Sequence, residues 1–266
     1  MSTIFKCFPN GKFKALTMSY DDGKLSDKKL VGIFNKYGIK GTFHINSGLI
    51  GTENRLSEDE IKTLYLGHEI AAHTLTHPTL ARCPDSEIVS QILEDRKNLE
   101  EITGYTVRGL SYPNGSYNNS IKELLKHLGI EYSRIVGNTD SFALPTDFYS
   151  WEATCHHNHN LMEHAKEFVA LYKKQYLYLM YVWGHSYEFD RDDNWNIMEN
   201  FCSYVSNQDD IWYATNIEIV DYKNVLDNLK FSSKGNFVYN PSAKSAWITV
   251  NGKVVEIKGG SQIKLL

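Results

Sequence analysis

Cysteine is scarce and scattered: Cys7, Cys83, Cys155 and Cys202 lie far apart, with no Cys-x-x-Cys pair. That excludes a disulfide scaffold and a thiolate zinc site, and it predicts reduced thiols in a cytoplasmic protein. Long apolar runs are missing too. The stretch Leu177 to Trp183 falls far short of the roughly 18 residues a membrane span requires, so no membrane partner is expected. The N-terminal MSTIFKCFPNGK has neither a continuous apolar run behind a basic start nor a small-residue cleavage site, and does not read as a secretory signal. A basic excess is absent: 28 Lys and Arg against 32 Asp and Glu leave a formal charge of −4. Phosphate-backbone binding needs the opposite balance, so nucleic acid is not an expected partner.

With 266 residues, 42% of them hydrophobic and no Pro, Ser or Gln tract, the chain is a folded protein able to bury a sizeable core. At about 150 residues per domain, it makes one large domain or one with an appendage. Short β-type runs alternate with helix-type stretches from about residue 14 to 228, which implies an α/β layout with parallel strands. The runs are Lys14 to Tyr20, Gly41 to Ile45, Glu69 to His73, Val107 to Tyr112, Glu131 to Val136, Tyr149 to Cys155, Leu177 to Gly184 and Ile211 to Ala214. Eight such runs suggest a barrel. Ser57 with Glu60 predicts a capping box for a helix closing at Gly67, and Ile88, Ile92, Leu99 and Ile102 predict a longer helix before Gly104. After about residue 229 an Asn251-Gly252 pair between β-type runs signals a hairpin. The reading is therefore a barrel over residues 1–230 with a small β appendage over 231–266 packed on it.

The first barrel run ends in Ser19-Tyr20-Asp21-Asp22-Gly23, two carboxylates at the strand end where such folds place their chemistry. An isolated Asp-Asp-Gly is more often an Asx turn or a helix cap. The run GHEIAAH delivers His73-Thr74-Leu75-Thr76-His77. Two imidazoles four residues apart converge on one metal if the segment is helical or turns tightly, and Asp22 would make a third ligand. Three ligands leave positions open for water and substrate, the pattern of a catalytic site. Val182-Trp183-Gly184-His185 ends another β-type run in a histidine, alone more often a packed or surface residue.

Together these residues resemble the polysaccharide deacetylases, the NodB-homology or carbohydrate esterase family 4 enzymes. Ser19-Tyr20-Asp21-Asp22-Gly23 is similar to their T-F-D-D-G motif, and His73-Thr74-Leu75-Thr76-His77 to their H-[ST]-x-x-H, over about residues 14 to 220. The resemblance implies a distorted (β/α) barrel holding one divalent cation, zinc first, with cobalt or nickel also compatible. By position it implies Asp21 as general base, Asp22, His73 and His77 as metal ligands, and His185 as general acid. Tyr112-Pro113-Asn114-Gly115 falls where the family has R-P-P-Y-G, whose backbone helps hold the oxyanion. Trp151 lies near the fourth motif, whose tryptophan walls the acetyl pocket.

There are departures. The family's arginine, which buttresses the base, is Ser111 here, and Arg108 is three residues earlier on the opposite face of the strand. The aspartate that supports the catalytic histidine is Ser150, leaving Glu152, Asp147 or Glu188 for that task. The tyrosine of R-P-P-Y-G is Asn114. Cys155-His156-His157-Asn158-His159 reads first as structural or surface, then as substrate-binding, and last as a metal site; His44, His68, His127 and His164 read as structural. Tyr187, Phe189 and Trp195 are the aromatics expected near a cleft, where their faces could stack on sugar rings.

The expected reaction is hydrolytic removal of an acetyl group from an N-acetylated, less readily an O-acetylated, carbohydrate. One alternative within the resemblance is hydrolysis of a small linear amide or cyclic ureide. Two histidines and a carboxylate also describe non-haem Fe(II) oxygenases, although Asp21 would have no task there. A non-catalytic carbohydrate-binding relative is a third reading, motivated by the two lost residues.

Overall fold

The computed structural model describes residues 3–265 of the chain, so the outermost residues of both expected units lie outside it. In chain order it runs β1 (Ile4–Cys7), β2 (Lys14–Asp21), α1 (Asp27–Tyr37), β3 (Gly41–Ile45), α2 (Glu58–Leu64), β4 (Glu69–Ala72), α3 (Asp85–Thr103), β5 (Gly109–Ser111), α4 (Asn119–His127) and β6 (Tyr132–Asn138). Then come β7 (Trp151–Ala153), β8 (Cys155–His156), α5 (Leu161–Ala170), β9 (Tyr178–Gly184), α6 (Tyr187–Arg191), α7 (Trp195–Val205), β10 (Ile211–Tyr213) and α8 (Asn216–Asn228). Five short strands finish the chain: β11 (Lys230–Phe231), β12 (Phe237–Tyr239), β13 (Ala246–Val250), β14 (Lys253–Ile257) and β15 (Gln262–Lys264).

The main sheet is parallel, in the order β7-β6-β5-β4-β3-β2-β9-β8, with β10 alongside the start of β2. Its two end strands are successive pieces of one stretch. That stretch pairs with β6 first and, after Thr154 gives its N–H to Tyr181 O at 2.8 Å, with β9. The sheet thus curls round on itself into a (β/α)-barrel-like fold, and no continuous ladder closes it among the described residues. All eight residues of β2 are buried, as a strand covered on both faces requires.

Helices cover the outside with an apolar layer that includes Leu30, Phe34, Ile92 and Leu99. The inside mixes aromatic and polar side chains, and several of the polar ones pair with each other. Thr17 donates to Asn216 (2.8 Å), Thr42 and Tyr132 donate to Glu69 (2.9 and 2.8 Å), and Asn216 donates to Tyr181 (2.8 Å). Such groups persist in a core only when paired. The helix α2 has the expected capping box, with the Ser57 side chain on the Glu60 N–H and the Glu60 side chain on the Ser57 N–H. It ends at Leu64, earlier than Gly67.

The C-terminal strands form two three-stranded antiparallel sheets, β1-β13-β14 and β11-β12-β15. Asn251 (φ 52°) and Gly252 (φ 81°) make the two-residue turn between β13 and β14, both in the left-handed region this turn demands. Strand β1, which the sequence reading leaves out, belongs to this unit and pairs with β13 from Ile4↔Val250 to Cys7↔Trp247. Tyr222 of α8 fastens it to the barrel by donating to Cys7 O at 2.8 Å and accepting from the Trp247 N–H at 3.1 Å.

Candidate active site

Parallel β2, β4, β5 and β9 end on one rim, and their last residues or the ones just after carry Asp21, His73, Ser111 and His185. Asp21 closes β2. Asp22 then turns to φ 85°, its N–H held by His44 O at 2.8 Å and its carbonyl by Arg55. The His73–His77 segment is a tight turn and not a helix: Thr74 sits at φ 66° and His77 at φ 65°, and the His77 N–H reaches Thr74 Oγ1 at 3.2 Å. Left-handed backbone at a β-branched residue is costly and persists where the surroundings enforce it. Here Gln91 of α3 does so, taking the Leu75 N–H at 2.9 Å on its backbone carbonyl and the Thr76 N–H at 2.9 Å on its side chain.

The outcome is that one donor atom each of Asp22, His73 and His77 lies within 4.8 Å of the others. The two imidazoles meet edge to face at 4.8 Å. His73 Nδ1 is engaged by Ser111, at 2.8 Å from its carbonyl and 2.6 Å from its hydroxyl, which leaves Nε2 to face the carboxylates. Burial, only partly countered by Asp21 and Asp22, pushes His73 down to about 4, so its ring is neutral and its free lone pair is available. Buried Asp95 takes the His73 N–H at 3.0 Å and the Ser47 N–H at 2.7 Å, fixing the turn from behind. Two imidazoles with an adjacent carboxylate, the His73 ring oriented through its Nδ1 by Ser111, are a donor set suited to a divalent cation.

Asp21 is buried beside this cluster, with its Oδ2 3.7 Å from His73 Nε2. Burial alone would raise its carboxyl, but the Arg134 guanidinium, followed by His73, His44 and His185, outweighs that and holds it well below the usual carboxylate range. Arg134 pairs directly with Asp21 Oδ2, and Ser111 donates to Oδ1 at 3.2 Å. The partner that the sequence leaves open is therefore Arg134 of β6. It is the register neighbour of Ser111 across β5 and β6, one strand over from where the resemblance puts an arginine. Arg108 is engaged elsewhere, with Glu131 and Asp221. Trp183 lies against the guanidinium, 4.5 Å from ring centroid to Cζ.

His185, just after β9, faces Glu188 one helical turn on, with Nδ1 3.5 Å from Oε2. Burial lowers its pKa, but Glu188 and the carboxylates Asp21 and Asp22 outweigh that and raise it above the ordinary imidazole value. Of the three acids considered for this task, Glu188 is the one in place. Asp147 is paired with Lys122, and Glu152 is exposed. Glu188 also receives His156 at 2.9 Å and lies 3.4 Å from His157 Nε2. His157 is fully buried between Phe189 (4.1 Å) and Tyr20 (5.8 Å), against the backbone of Gly184, so the first part of the histidine cluster is packed behind His185.

Three expectations change. Trp151 is 1% exposed and packed inside the barrel against Tyr132, Phe148 and Tyr181, so most of its ring is core, with one edge on a cavity it shares with Tyr181 and Thr139. Tyr112 is buried with its hydroxyl on Tyr149 O at 2.8 Å and its ring stacked on Tyr117, which leaves only its backbone to offer. Phe189 is buried as well, whereas Tyr187 stands 5.3 Å from His185 and lines, with Asp22, Lys24, Leu25, Asn54 and Asp190, a pocket of about 360 Å³. Asn114 is exposed at φ 56° in the turn that buried Pro113 opens.

Residues 9–133 match the family model described as polysaccharide deacetylase. Among curated proteins, the peptidoglycan-N-acetylglucosamine deacetylase PgdA of Listeria monocytogenes is 25% identical over 112 residues, 41% of this chain and 23% of that protein. The chain thus spans about a quarter of the length of that relative. Among solved structures, the Xyl-CE4 domain of a multidomain xylanase from the hindgut metagenome of Trinervitermes trinervoides superposes with a TM-score of 0.56 at 16% identity, over 80% of this chain and 92% of that one. The Puue allantoinase superposes at 0.63 and 14% identity, over 80% and 91%. Those two likenesses concern the fold, a (β/α)-barrel-like one, and the match over residues 9–133 covers both the Asp21-Asp22 and His73–His77 motifs: over that part the chain is similar to the polysaccharide deacetylases.

Proposed function

We propose that this chain is a metal-dependent hydrolase that removes acetyl groups from an N-acetylated carbohydrate, releasing acetate and an amine. The observation that carries the reading is the convergence of Asp22, His73 and His77 within 4.8 Å of one another beside a buried, ionised Asp21. Those three residues would hold the cation, and two imidazoles with one carboxylate favour zinc, with cobalt or nickel as substitutes. The cation supplies Lewis-acid polarisation of the acetyl carbonyl and makes a coordinated water more acidic.

The protein's own groups do the rest. Asp21 takes the proton of the attacking water as its oxygen adds to the carbonyl carbon, and Arg134 keeps that carboxylate ionised and aimed. The turn at Pro113 and Asn114 offers backbone to the oxyanion that develops. Protonated His185 gives its proton to the leaving nitrogen as the C–N bond breaks. Its pKa, raised above the ordinary imidazole value by Glu188 against the effect of burial, favours the protonated form that a general acid needs. Tyr187, at the edge of the pocket beside Asp22, presents a ring to a sugar face.

Asp21→Asn tests the reading. It should abolish acetate release from N-acetylated oligosaccharides while the purified variant keeps its metal equivalent. Retained turnover would overturn the role of Asp21. Turnover confined to small amides in a panel of N-acetyl sugars, peptidoglycan fragments and ureides would overturn the carbohydrate.

A further inference from the structure

We propose that Asp140, His159 and His164 form a second divalent-cation site, separate from the Asp22, His73 and His77 cluster and independent of the deacetylase reading. The three residues come from different pieces of the rim. Asp140 follows β6 at φ 49°, its N–H on Thr154 O at 3.0 Å. His159 stands in the loop between β8 and α5, its N–H on His156 O at 2.8 Å. His164 is in the first turn of α5, its N–H on Asn160 O at 3.0 Å. Each backbone is thus fixed by its own hydrogen bond, and the side chains still converge: Nε2 of His159 lies 2.9 Å, and Nε2 of His164 3.0 Å, from the same oxygen, Asp140 Oδ1.

The distances fit a metal. Bonds of about 2.0–2.1 Å in a tetrahedron separate neighbouring donors by about 3.3 Å, so each imidazole need move only a few tenths of an ångström from the shared carboxylate oxygen, and the three donor atoms lie within 4.8 Å of one another. The donor set selects its class. Two imidazoles and a carboxylate suit zinc, nickel or cobalt, whereas calcium and magnesium demand oxygen ligands. The buried His164 (side chain 9% exposed), edge-on to Phe142, anchors the inner side, while Asp140 (52%) and His159 (40%) leave the outer side open to water.

An ion here would staple the segment from residue 139 to 150, which has little regular structure, onto α5. Asp140 lies between Thr139 and Ser141, and both of these, with Leu144, Asp147, Trp151 and Tyr181, line a cavity of about 360 Å³. The proposed staple therefore fixes one wall of that cavity. With no ion, the same geometry is two imidazoles sharing one surface carboxylate, and metal stoichiometry separates the two cases.

The full chain is stripped with chelator, re-equilibrated with zinc, desalted and analysed for bound metal, in parallel with His159→Ala, Asp140→Asn and His77→Ala. His159 and Asp140 are exposed, so their variants should fold as the wild type does. Two equivalents are expected in the wild type, one in each single variant, and none in His77→Ala combined with His159→Ala. Zinc should also raise the Tm of His77→Ala and leave that of the double variant unchanged. One equivalent in the wild type that persists in His159→Ala, or two in His159→Ala, overturns the second site. The His77→Ala arm reports on the first site separately, so failure of either is recognisable.

Discussion

Replacing Arg134 by Met removes the guanidinium that faces Asp21 and retains an unbranched apolar stem of similar reach. Both residues are buried, 1% and 2% exposed, so the carboxylate would be left with no cation on Oδ2 and no water to replace it. Breaking a buried pair from one side costs about 3–5 kcal/mol, the size of the attraction itself at about 4 Å and an effective dielectric near 20, about 4 kcal/mol. Stability should fall by that amount near neutral pH. The sign with pH follows from linkage. In the wild type, Asp21 is held below its unfolded pKa, so its stabilisation is present above the ordinary carboxylate range and is lost on acidification. In Arg134→Met, burial is no longer outweighed to the same degree, the Asp21 pKa rises, and the acid limb of the activity profile moves to higher pH. A base that is both mis-aimed and partly protonated should cost about 100-fold in kcat/KM, the scale of an ångström's misplacement. Urea melts at pH 5, 7 and 8 with a pH profile of acetate release measure all three effects.

The register suggests a stronger version of the experiment. Ser111 and Arg134 are neighbours across β5 and β6, so the double variant Ser111→Arg, Arg134→Ser returns the cation to the layer of Asp21 from the adjacent strand. It should recover part of the lost activity and move the acid limb back down. Loss of the Ser111 hydroxyl, which touches both His73 Nδ1 and Asp21, keeps the recovery incomplete. An Arg134→Met protein with wild-type stability, activity and pH profile would refute the assignment of Arg134 as the residue that orients the base.

Glu188→Gln removes a carboxylate that holds the His185 pKa up, so the alkaline limb of the profile, where protonated His185 is lost, should shift to lower pH; an unmoved limb would detach Glu188 from His185. Gly184→Ala puts a methyl 2.0 Å from His157 Nδ1 in a fully buried position and should destabilise by about 1–3 kcal/mol, the scale of overpacking, read as a lowered urea midpoint. Glu69→Gln mimics the protonated acid: its carbonyl can accept from Thr42 and the Ile217 N–H while its amide donates to Tyr132. Burial, despite these hydrogen bonds, raises Glu69 to about 7, so the folded state keeps a proton the unfolded chain has lost above about pH 4.5. Wild-type stability should therefore fall between about pH 4.5 and 7, by at most about 3–4 kcal/mol at 1.36 kcal/mol per unit. The gap between Glu69→Gln and wild type should widen over that interval, and a constant gap would show that Glu69 ionises freely.

What the sequence makes legible here is what lies along one strand. The barrel strands are short β-type runs whose helix-facing side is apolar, so their limits fall within a few residues of the expected ones, and Asp21, Asp22, His73, His77 and His185 lie at or just after strand ends. What it hides depends on register between strands. Arg134 lies in Tyr132-Ser133-Arg134-Ile135, where a charge alternating with a tyrosine inside a β-type run is itself a signal of an inward, paired side chain. A search along Val107 to Tyr112 misses it, because only the pairing Ser111↔Arg134 brings the neighbouring strand to the same layer. The same reasoning explains Trp151, register partner of Arg134 from the other side, whose place in the order of motifs says nothing of its depth in the barrel. Strand β1 is four residues whose partner lies about 240 residues away, beyond any local pattern. Arg134 brings to Asp21, from the neighbouring parallel strand, the cation that the resemblance places at position 111, and only the register between β5 and β6 puts the two positions in one layer.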